Sequence, residues 1–358
     1  MSTYSLASFP PEGVLESKAV LRALVLAHRY LAELKGIAHT MPNEGLLVST
    51  LSLQEAQSSS EIENIITTQD ALFKYQIQPD NAGPVSKEVA HYVEGLNTGF
   101  LRVRNEGVLT LNTILDVQAE LEGNDAGFRK ISGTVLKNDL TGEVVYEPPS
   151  PEKVPELMSS LETFIHSDSE LDPLVCMALI HHQFESIHPF YDGNGRSGRI
   201  INILYLVKED LLETPILYLS RYISQTKSEY YAALQLVRDE NDWEQWLLYM
   251  LRGVALTARH TTHLIERIRT LLQQYKQRIR NDYKFYSQDL INNIFRHPYT
   301  KVAFLERDVG VSRATASRYL NRLASDGILQ KHKMGNENYY INHALADLLF
   351  NLPELSEE

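Results

Sequence analysis

His188-Pro189-Phe190-Tyr191-Asp192-Gly193-Asn194-Gly195-Arg196-Ser197-Gly198-Arg199 gathers a base, a hard oxygen ligand, a glycine-rich turn and two guanidinium groups into one short run. Pro189 restrains the residue before it to extended conformations, so His188 is expected to close a helix rather than continue it. Gly193 and Gly195 flank Asn194 and permit the φ > 0 geometry that turns successive backbone N–H groups toward an anion. Beyond them Ile200, Ile201, Ile203, Leu204 and Val207 recur with helical period, which predicts a helix beginning at Gly195 to Ser197. Its dipole and free amides add to the same anion site. Arg196 and Arg199 fall in the first turn of that helix, where cations oppose the dipole unless an anion lies between them and the helix end. A di- or triphosphate meets that condition. Asp192, beside the turn, suits a divalent ion bridging phosphate oxygens, and His188 is the nearby group best suited to take a proton near neutral pH.

These residues resemble the signature of the Fic family, HPFxxGNGRxxR with an acid at the second x, and match it at every defined position. The resemblance implies transfer of a nucleotide monophosphate, usually AMP from ATP with Mg2+, onto a Ser, Thr or Tyr hydroxyl of a protein, with release of pyrophosphate. It assigns His188 as the base for the target hydroxyl and Asp192 as the magnesium ligand. The Gly193 to Gly195 backbone with Asn194 becomes the cradle for the α- and β-phosphates, Arg196 a β-phosphate ligand and Arg199 a γ-phosphate ligand. The nucleotide-binding run is thus Gly193, Asn194, Gly195, Arg196, Ser197, Gly198 and Arg199. Attack on the α-phosphorus needs a base, neutralised phosphate charge and an aligned nucleophile, and the motif supplies the first two.

Alignment points upstream. Phe128 to Val135 and Gly142 to Pro149 are β-rich segments around the turn signal Asn138-Asp139-Leu140-Thr141-Gly142, which predicts an isolated hairpin in a helical chain. It reads as a small packing hairpin or, through the resemblance, as the Fic flap, with Ile131, Gly133, Thr134, Val144 and Tyr146 pairing a target segment by its main chain. Ser150-Pro151-Glu152 reads as an N-cap, first-turn proline and acid opening the next helix.

Earlier still, Ser59 and Glu63 are spaced i, i+4 on one predicted helical face, with Asn64 near its end and Thr67 or Thr68 capping the next helix. Taken alone, that pattern reads as two short surface helices. Beside the core motif it is similar to the family's inhibitory motif, Ser/Thr-x-x-x-Glu-Gly/Asn, which implies that Glu63 pairs with Arg199 where a γ-phosphate would point. A carboxylate on a guanidinium is a strong, directional contact. The reading is autoinhibition.

His181 and His182 invite a zinc reading, but their spacing does not fit an H-E-x-x-H helix and the single cysteine, Cys176, lies in the apolar run Leu174 to Ile180; buried helix histidines fit better. Tyr230 and Tyr231 precede Trp243 and Trp246 in a helical pattern of core type, and the resemblance places Tyr231 on the adenine side of the nucleotide.

No apolar run spans a membrane, one cysteine precludes an internal disulfide framework, and Met1 to Pro11 lack a signal-peptide pattern, so a cytoplasmic location is the expectation. A net charge of −12 argues against coating nucleic acid with the whole surface but leaves room for a local basic patch. Thr261 to Arg280 read as a basic, solvated connecting helix with an apolar stripe. Helices over Asp289 to Phe295, Lys301 to Asp308 and, capped by Ser312, up to Gly327, then strands Ile328 to Lys331 and Tyr339 to Ile341 around Gly335-Asn336-Glu337-Asn338, give the order of a winged helix-turn-helix. Arg313, Arg318, Arg322, Lys331 and Lys333 flank its recognition helix and wing, where DNA phosphates would be met. Protein recognition or dimer packing fits the module equally, and a homodimer stays open.

The expected fold is mainly α: a Fic-type helical bundle with a small β-hairpin flap plus a C-terminal winged helix-turn-helix. Its expected divisions are an N-terminal helical region with the inhibitory helix (1–90), the catalytic core (91–260), the connecting helix (261–282), the winged module (283–350) and an acidic tail (351–358). The expected partners are a protein with an exposed hydroxyl, the chain itself included, and no membrane. Transfer of another nucleotide, removal of AMP, or a winged-helix nucleotide sensor without transferase activity are the alternatives.

Overall fold

A computed structural model describes residues 5–13, 15–42, 44–79, 83–137, 141–334 and 337–356. Helix α7 (Pro173–Ile187) is the centre of the molecule, and every residue from Leu174 to Ile187 is buried. A helix buried on every face must be covered on all sides, its polar groups included. The cover comes from α6 (Val154–Ile165), α8 (Asn194–Lys208) and α11 (Trp243–Asp282). Trp246, fully buried on α11, donates its indole N–H to the Ala178 carbonyl at 2.8 Å, so even the main chain of α7 is engaged from outside. A second layer is built by α4 (Pro84–Glu106), α5 (Leu111–Glu122), α9 (Leu219–Gln225) and α10 (Lys227–Glu240).

α2 (Glu44–Ile62) is no surface helix: it packs on α4, α8 and α9 and buries Leu46, Leu47, Leu51, Leu53, Ala56, Ser59, Ser60 and Ile62. Two residues past its end Asn64 adopts the left-handed conformation, and Thr68 rather than Thr67 caps α3 (Gln69–Ile77) by accepting the Ala71 N–H at 3.1 Å.

The connecting helix is the second half of α11; its polar face, with Arg267, Arg278 and Arg280, is exposed, but its apolar stripe is covered. Leu264, Ile265, Ile268, Leu272 and Ile279 are buried, and α11 packs along α1 (Lys18–Ala38). Its apolar stripe had a partner too distant in sequence to be seen.

The hairpin forms, but it is shorter than its β-rich composition suggests. β1 (Leu136–Lys137) pairs antiparallel with β2 (Val144–Tyr146) in the register Leu136↔Tyr146, and Asn138, Asp139 and Leu140 of the expected turn lie outside the described residues. Val144 and Tyr146 are in the strands; Ile131, Gly133 and Thr134 precede them without strand pairing. Ser150 makes no side-chain cap, because a 3₁₀ turn (Pro151–Lys153) intervenes before α6.

The C-terminal module contains α12 (Gln288–Arg296), β3 (Tyr299–Lys301), α13 (Val302–Val309), α14 (Arg313–Ser325), β4 (Gln330–Met334), β5 (Glu337–Ile341) and α15 (His343–Phe350). Ser312 caps α14 by accepting the Thr315 N–H at 3.3 Å. β3 was not expected; it completes an antiparallel sheet in the order β3-β5-β4, and it takes Lys301 out of the following helix. Glu337 and Asn338, expected in the turn, belong to β5, while Gly335 and Asn336 lie outside the described residues. α12 sits against α2, the Ser49 hydroxyl donates to the Arg296 carbonyl at 3.2 Å, and Gln54 donates to the Leu349 carbonyl at 2.9 Å. The same helix, α2, therefore touches both the catalytic core and the winged module.

Candidate active site

Where α7 runs out, His188 takes a left-handed conformation (φ 49°, ψ 61°), not the extended one that Pro189 favours. That geometry keeps its N–H on the Phe184 carbonyl at 3.0 Å, capping the helix before the chain turns away. A non-glycine residue at positive φ is strained and persists only where its surroundings hold it. Phe190 is buried against Phe184 and Phe128. The Asn194 side chain spans the turn, accepting the Phe190 N–H at 2.8 Å and donating to the Phe190 carbonyl at 3.0 Å. Its amide thus braces the loop, and what it offers an anion is its backbone. Gly193 at φ 75° is the N-cap of α8, one residue earlier than the periodicity suggests, leaving the first-turn amides at Asn194, Gly195 and Arg196 without intrahelical partners.

The two arginines of that turn point to different acids. Buried Arg196 donates to Glu88 Oε1 at 3.0 Å and Glu122 Oε1 at 2.9 Å, and lies 3.7 Å from Asp192 Oδ1. Arg199, 1% exposed at its side chain, donates Nε–H to the Ser59 hydroxyl at 2.8 Å, and Nη2–H to the Ser59 carbonyl at 2.9 Å and Glu63 Oε1 at 2.7 Å. The last turn of α2 and the residue just after it deliver all three acceptors, because residues four apart share a face. A methyl group on Gly195 would fall on the Glu63 carboxylate and 2.9 Å from Arg199 Nη1, so Glu63 lies directly over the amide end of α8. Asn64 accepts from Lys227 at 3.2 Å beyond the helix end.

Burial opposes the charge of Arg199, yet Glu63, Tyr230, Glu185 and Tyr92 together outweigh it and hold the guanidinium firmly protonated. Beneath it Glu185 and Glu55 are buried carboxyls, each pushed up by desolvation to about 7. His181, pulled down by burial to about 3, is neutral and lies between the Tyr230 hydroxyl at 2.8 Å and the Asn202 amide at 3.1 Å. His182 is likewise buried, against Trp243 and Trp246. Neither histidine belongs to a cluster of metal-ligating side chains among the described residues.

His188 itself is pulled down to about 4, first by burial and then by the guanidinium groups of Arg129 and Arg238. Its Nδ1 is buried without a hydrogen-bond partner. Arg238 from α10 stacks over the Tyr146 ring at 3.9 Å, and the Tyr146 hydroxyl donates to the Ser186 carbonyl at 3.0 Å, so the hairpin is seated on the last turn of α7. Its outer side stays open: Ile131, Val144 and Val145 are exposed. Asp192 is exposed, with Oδ1 accepting the Gly193 N–H at 2.7 Å. Ser197 and Gly198 are buried in the first turn of α8, and Gly198 abuts Glu185. Tyr231 is half exposed at the rim, edge-on to buried Tyr230 at 5.1 Å.

Residues 21–101 match the Fic/DOC family N-terminal description, residues 108–206 the Fic/DOC family, and residues 271–345 the C-terminal domain of protein adenylyltransferase SoFic-like proteins. The chain belongs to the Fic family. A probable protein adenylyltransferase of Aquifex aeolicus is 34% identical over 92 residues, 26% of this Fic chain and 29% of that protein. Protein adenylyltransferase fic-1 of Caenorhabditis elegans is 29% identical over 124 residues, 34% of this chain and 22% of that one. The matches span less than a third of those curated relatives' length. A Fic family protein of Desulfovibrio desulfuricans G20 shares the fold over 93% of this chain and 98% of its own, with a TM-score of 0.56 at 20% identity.

Several residues of this Fic site carried no sequence signal. Glu88 and Glu122 lie far upstream of Arg196, and nothing in their neighbourhoods marks them as its partners. Arg129 was visible only as a basic residue before a strand, since everything it binds is main chain. In the C-terminal module Arg313, Arg318, Arg322, Lys331 and Lys333 are all exposed, although Arg322 pairs with Asp326 at 2.9 Å and Lys331 donates to Asn321 at 2.8 Å.

Proposed function

We propose that the chain is a protein adenylyltransferase that moves AMP from ATP onto a Ser, Thr or Tyr hydroxyl of a protein, itself included, and that Glu63 holds it in an inhibited state. The observation that carries this reading is the Glu63 carboxylate on Arg199 and over Gly195, an anion already seated at the amide end of α8. A site that holds one carboxylate there has the charge and the donors for a phosphate. His188 supplies the base: its imidazole is neutral at physiological pH and takes the proton of the incoming hydroxyl. The hydroxyl oxygen then bonds to the α-phosphorus, the bond from that phosphorus to the β-phosphate oxygen breaks, and pyrophosphate carries away the electron pair. Arg196 and Arg199 neutralise the β- and γ-phosphates, and Tyr231 stands on the adenine side. Exchanging Glu63 for a γ-phosphate leaves Arg199 paired in both states, whereas both anions cannot share it.

Magnesium fits as a partner of ATP rather than as a resident ion. Asp192 is a single exposed carboxylate with no cluster of further ligands among the described residues, the donor set of an ion completed by phosphate oxygens and water. Such an ion would be held by Asp192 and would offset charge on the phosphates.

The deciding experiment incubates the protein with Mg2+ and ATP labelled on the α-phosphate, as wild type, Glu63→Gly and His188→Ala. Label on protein that rises in Glu63→Gly and vanishes in His188→Ala is expected. No label in any form would overturn AMP transfer and favour another nucleotide, AMP removal or nucleotide sensing.

For the winged module the exposed Arg313, Arg318, Arg322, Lys331 and Lys333 favour contact with duplex DNA phosphates. Affinity should then fall steeply with added salt through counterion release; no binding at low salt would leave protein recognition or dimer packing.

A further inference from the structure

Arg129 has no part in the phosphate cradle, yet it is 2% exposed and fully engaged. Its Nε–H donates to the His188 carbonyl at 2.8 Å, Nη2–H to the carbonyls of Pro149 and, at 3.4 Å, Ile187, and its backbone N–H to the Pro189 carbonyl at 2.8 Å. Every acceptor is a carbonyl. Burial disfavours the Arg129 charge and Glu152 favours it, but none of these hydrogen bonds goes to a carboxylate. The C-terminal end of α7 favours a cation, but a neutral donor could satisfy the same carbonyls without burying a charge. What distinguishes the guanidinium is its fork, which reaches three places at once.

Those places are telling. Residues 129 and 149 are the two roots of the hairpin, and Ile187 to Pro189 are the end of α7 and the base-bearing turn. Arg129 thus joins both hairpin roots to the carbonyl of the residue that must be held in a left-handed conformation. Parallel ties run from the Lys130 N–H to the Tyr191 hydroxyl at 2.8 Å and from the Tyr146 hydroxyl to the Ser186 carbonyl.

We propose that Arg129 is a positioning residue for the transfer step, locking His188 and both roots of the hairpin into one unit so that the base and a target segment laid along the hairpin share a single frame. The inference rests on the adenylyl-transfer reading. Near-attack alignment is sensitive to small displacements, so loosening this clamp should slow transfer far more than it weakens nucleotide binding. The charged groups acting on the His188 ring are Arg129, Arg238 from α10 and Glu63 from the turn after α2.

The test compares Arg129→Lys and Arg129→Met in the full chain carrying Glu63→Gly. Binding of a fluorescent ATP analogue with Mg2+ is expected to change less than about twofold, while the labelling rate at saturating ATP falls by about tenfold or more, as misplacement without lost binding requires. Amide hydrogen exchange across 128–137 and 141–149 should rise in both variants. Unchanged labelling, or unchanged exchange in the hairpin, would overturn the clamp. So would a parallel loss of nucleotide affinity and thermal stability in Arg129→Lys, which marks a purely structural role; this variant keeps the charge and loses only the fork, and decides the matter if Arg129→Met does not fold. Should Glu63→Gly with Arg129 intact take no label, the transferase reading fails, and the hydrogen-exchange comparison still decides whether Arg129 clamps hairpin and turn.

Discussion

Arg199 and Glu63, 136 residues apart in the chain, meet through Nη2–H and Oε1 at 2.7 Å over the first turn of α8. Glu63→Gly should remove the competing anion while leaving Arg199 bonded to Ser59. A hydrogen bond to a charged group is worth about 1.5–3 kcal/mol, which corresponds to a rise in self-labelling of about tenfold to a hundredfold. Ser59→Ala removes one hydroxyl but keeps the Ser59 carbonyl on Nη2, so it should raise labelling less. Rates of α-phosphate label incorporation for the two variants check the order; a larger effect in Ser59→Ala would place the inhibition elsewhere.

His188 sits at about 4 instead of 6.5 because burial and two guanidinium groups disfavour its cation. The imidazole is therefore neutral, and able to accept a proton, throughout the range above that value. Labelling by Glu63→Gly should hold nearly level from pH 8 down to about 5 and fall only below it. The same depression makes His188 a source of stability that is full above 6.5 and lost as pH falls toward 4. An acid limb centred at 6.5 would show that the ring is solvated when ATP is bound.

Glu55 shows the opposite sign. Its carboxylate accepts from the Ser220 N–H at 3.1 Å, the Ser220 hydroxyl and the Tyr92 hydroxyl at 3.1 Å, yet burial dominates and raises it to about 7. A raised carboxyl stabilises fully below 4.5 and loses that contribution as pH rises through 7. Glu55→Gln keeps an oxygen for the Ser220 N–H, and its amide can donate to the hydroxyls. The variant should be more stable than wild type at pH 8, by on the order of 2 kcal/mol, and closer to it at pH 5. Urea denaturation at the two pH values checks this; equal midpoints at pH 8 would mean that water reaches Glu55.

Gly99 on α4 faces Val117 of α5 and Leu204 of α8, and a methyl group there would come 2.8 Å from Val117 Cγ2. Overpacking of this kind costs about 1–3 kcal/mol. Gly99→Ala should therefore lower the thermal midpoint while leaving the residues of the nucleotide site in place. An unchanged midpoint would show that the three helices can separate without cost.

Much of the site was legible because it is local. His188, Asp192, Gly193, Gly195, Arg196 and Arg199 fall within one turn and the first winding of a helix, and glycine, proline and charge at close spacing dictate such geometry directly. The hairpin was legible as a turn between β-rich segments, but its length was not. Strand pairing ends at Leu136↔Tyr146, and the same Tyr146 seats the hairpin on α7 through its hydroxyl. β3 was missed because three residues carry no period, and only β5 makes them a strand.

The sequence by itself determined that this chain is mainly helical, that one turn carries the Fic signature, and that a winged module follows, since all three depend on short-range pattern. The Glu63 to Arg199 pair was implied by the motif resemblance, but only the tertiary structure decided what else surrounds that turn: Glu88 and Glu122 on Arg196, Arg129 on the carbonyl of His188, and α2 between the core and the winged module. These partners lie tens to hundreds of residues apart, and Arg129 meets its partner through a backbone carbonyl, which every residue possesses. No local pattern can specify such a pairing; the burial of α7 and the packing of α2 bring the groups together.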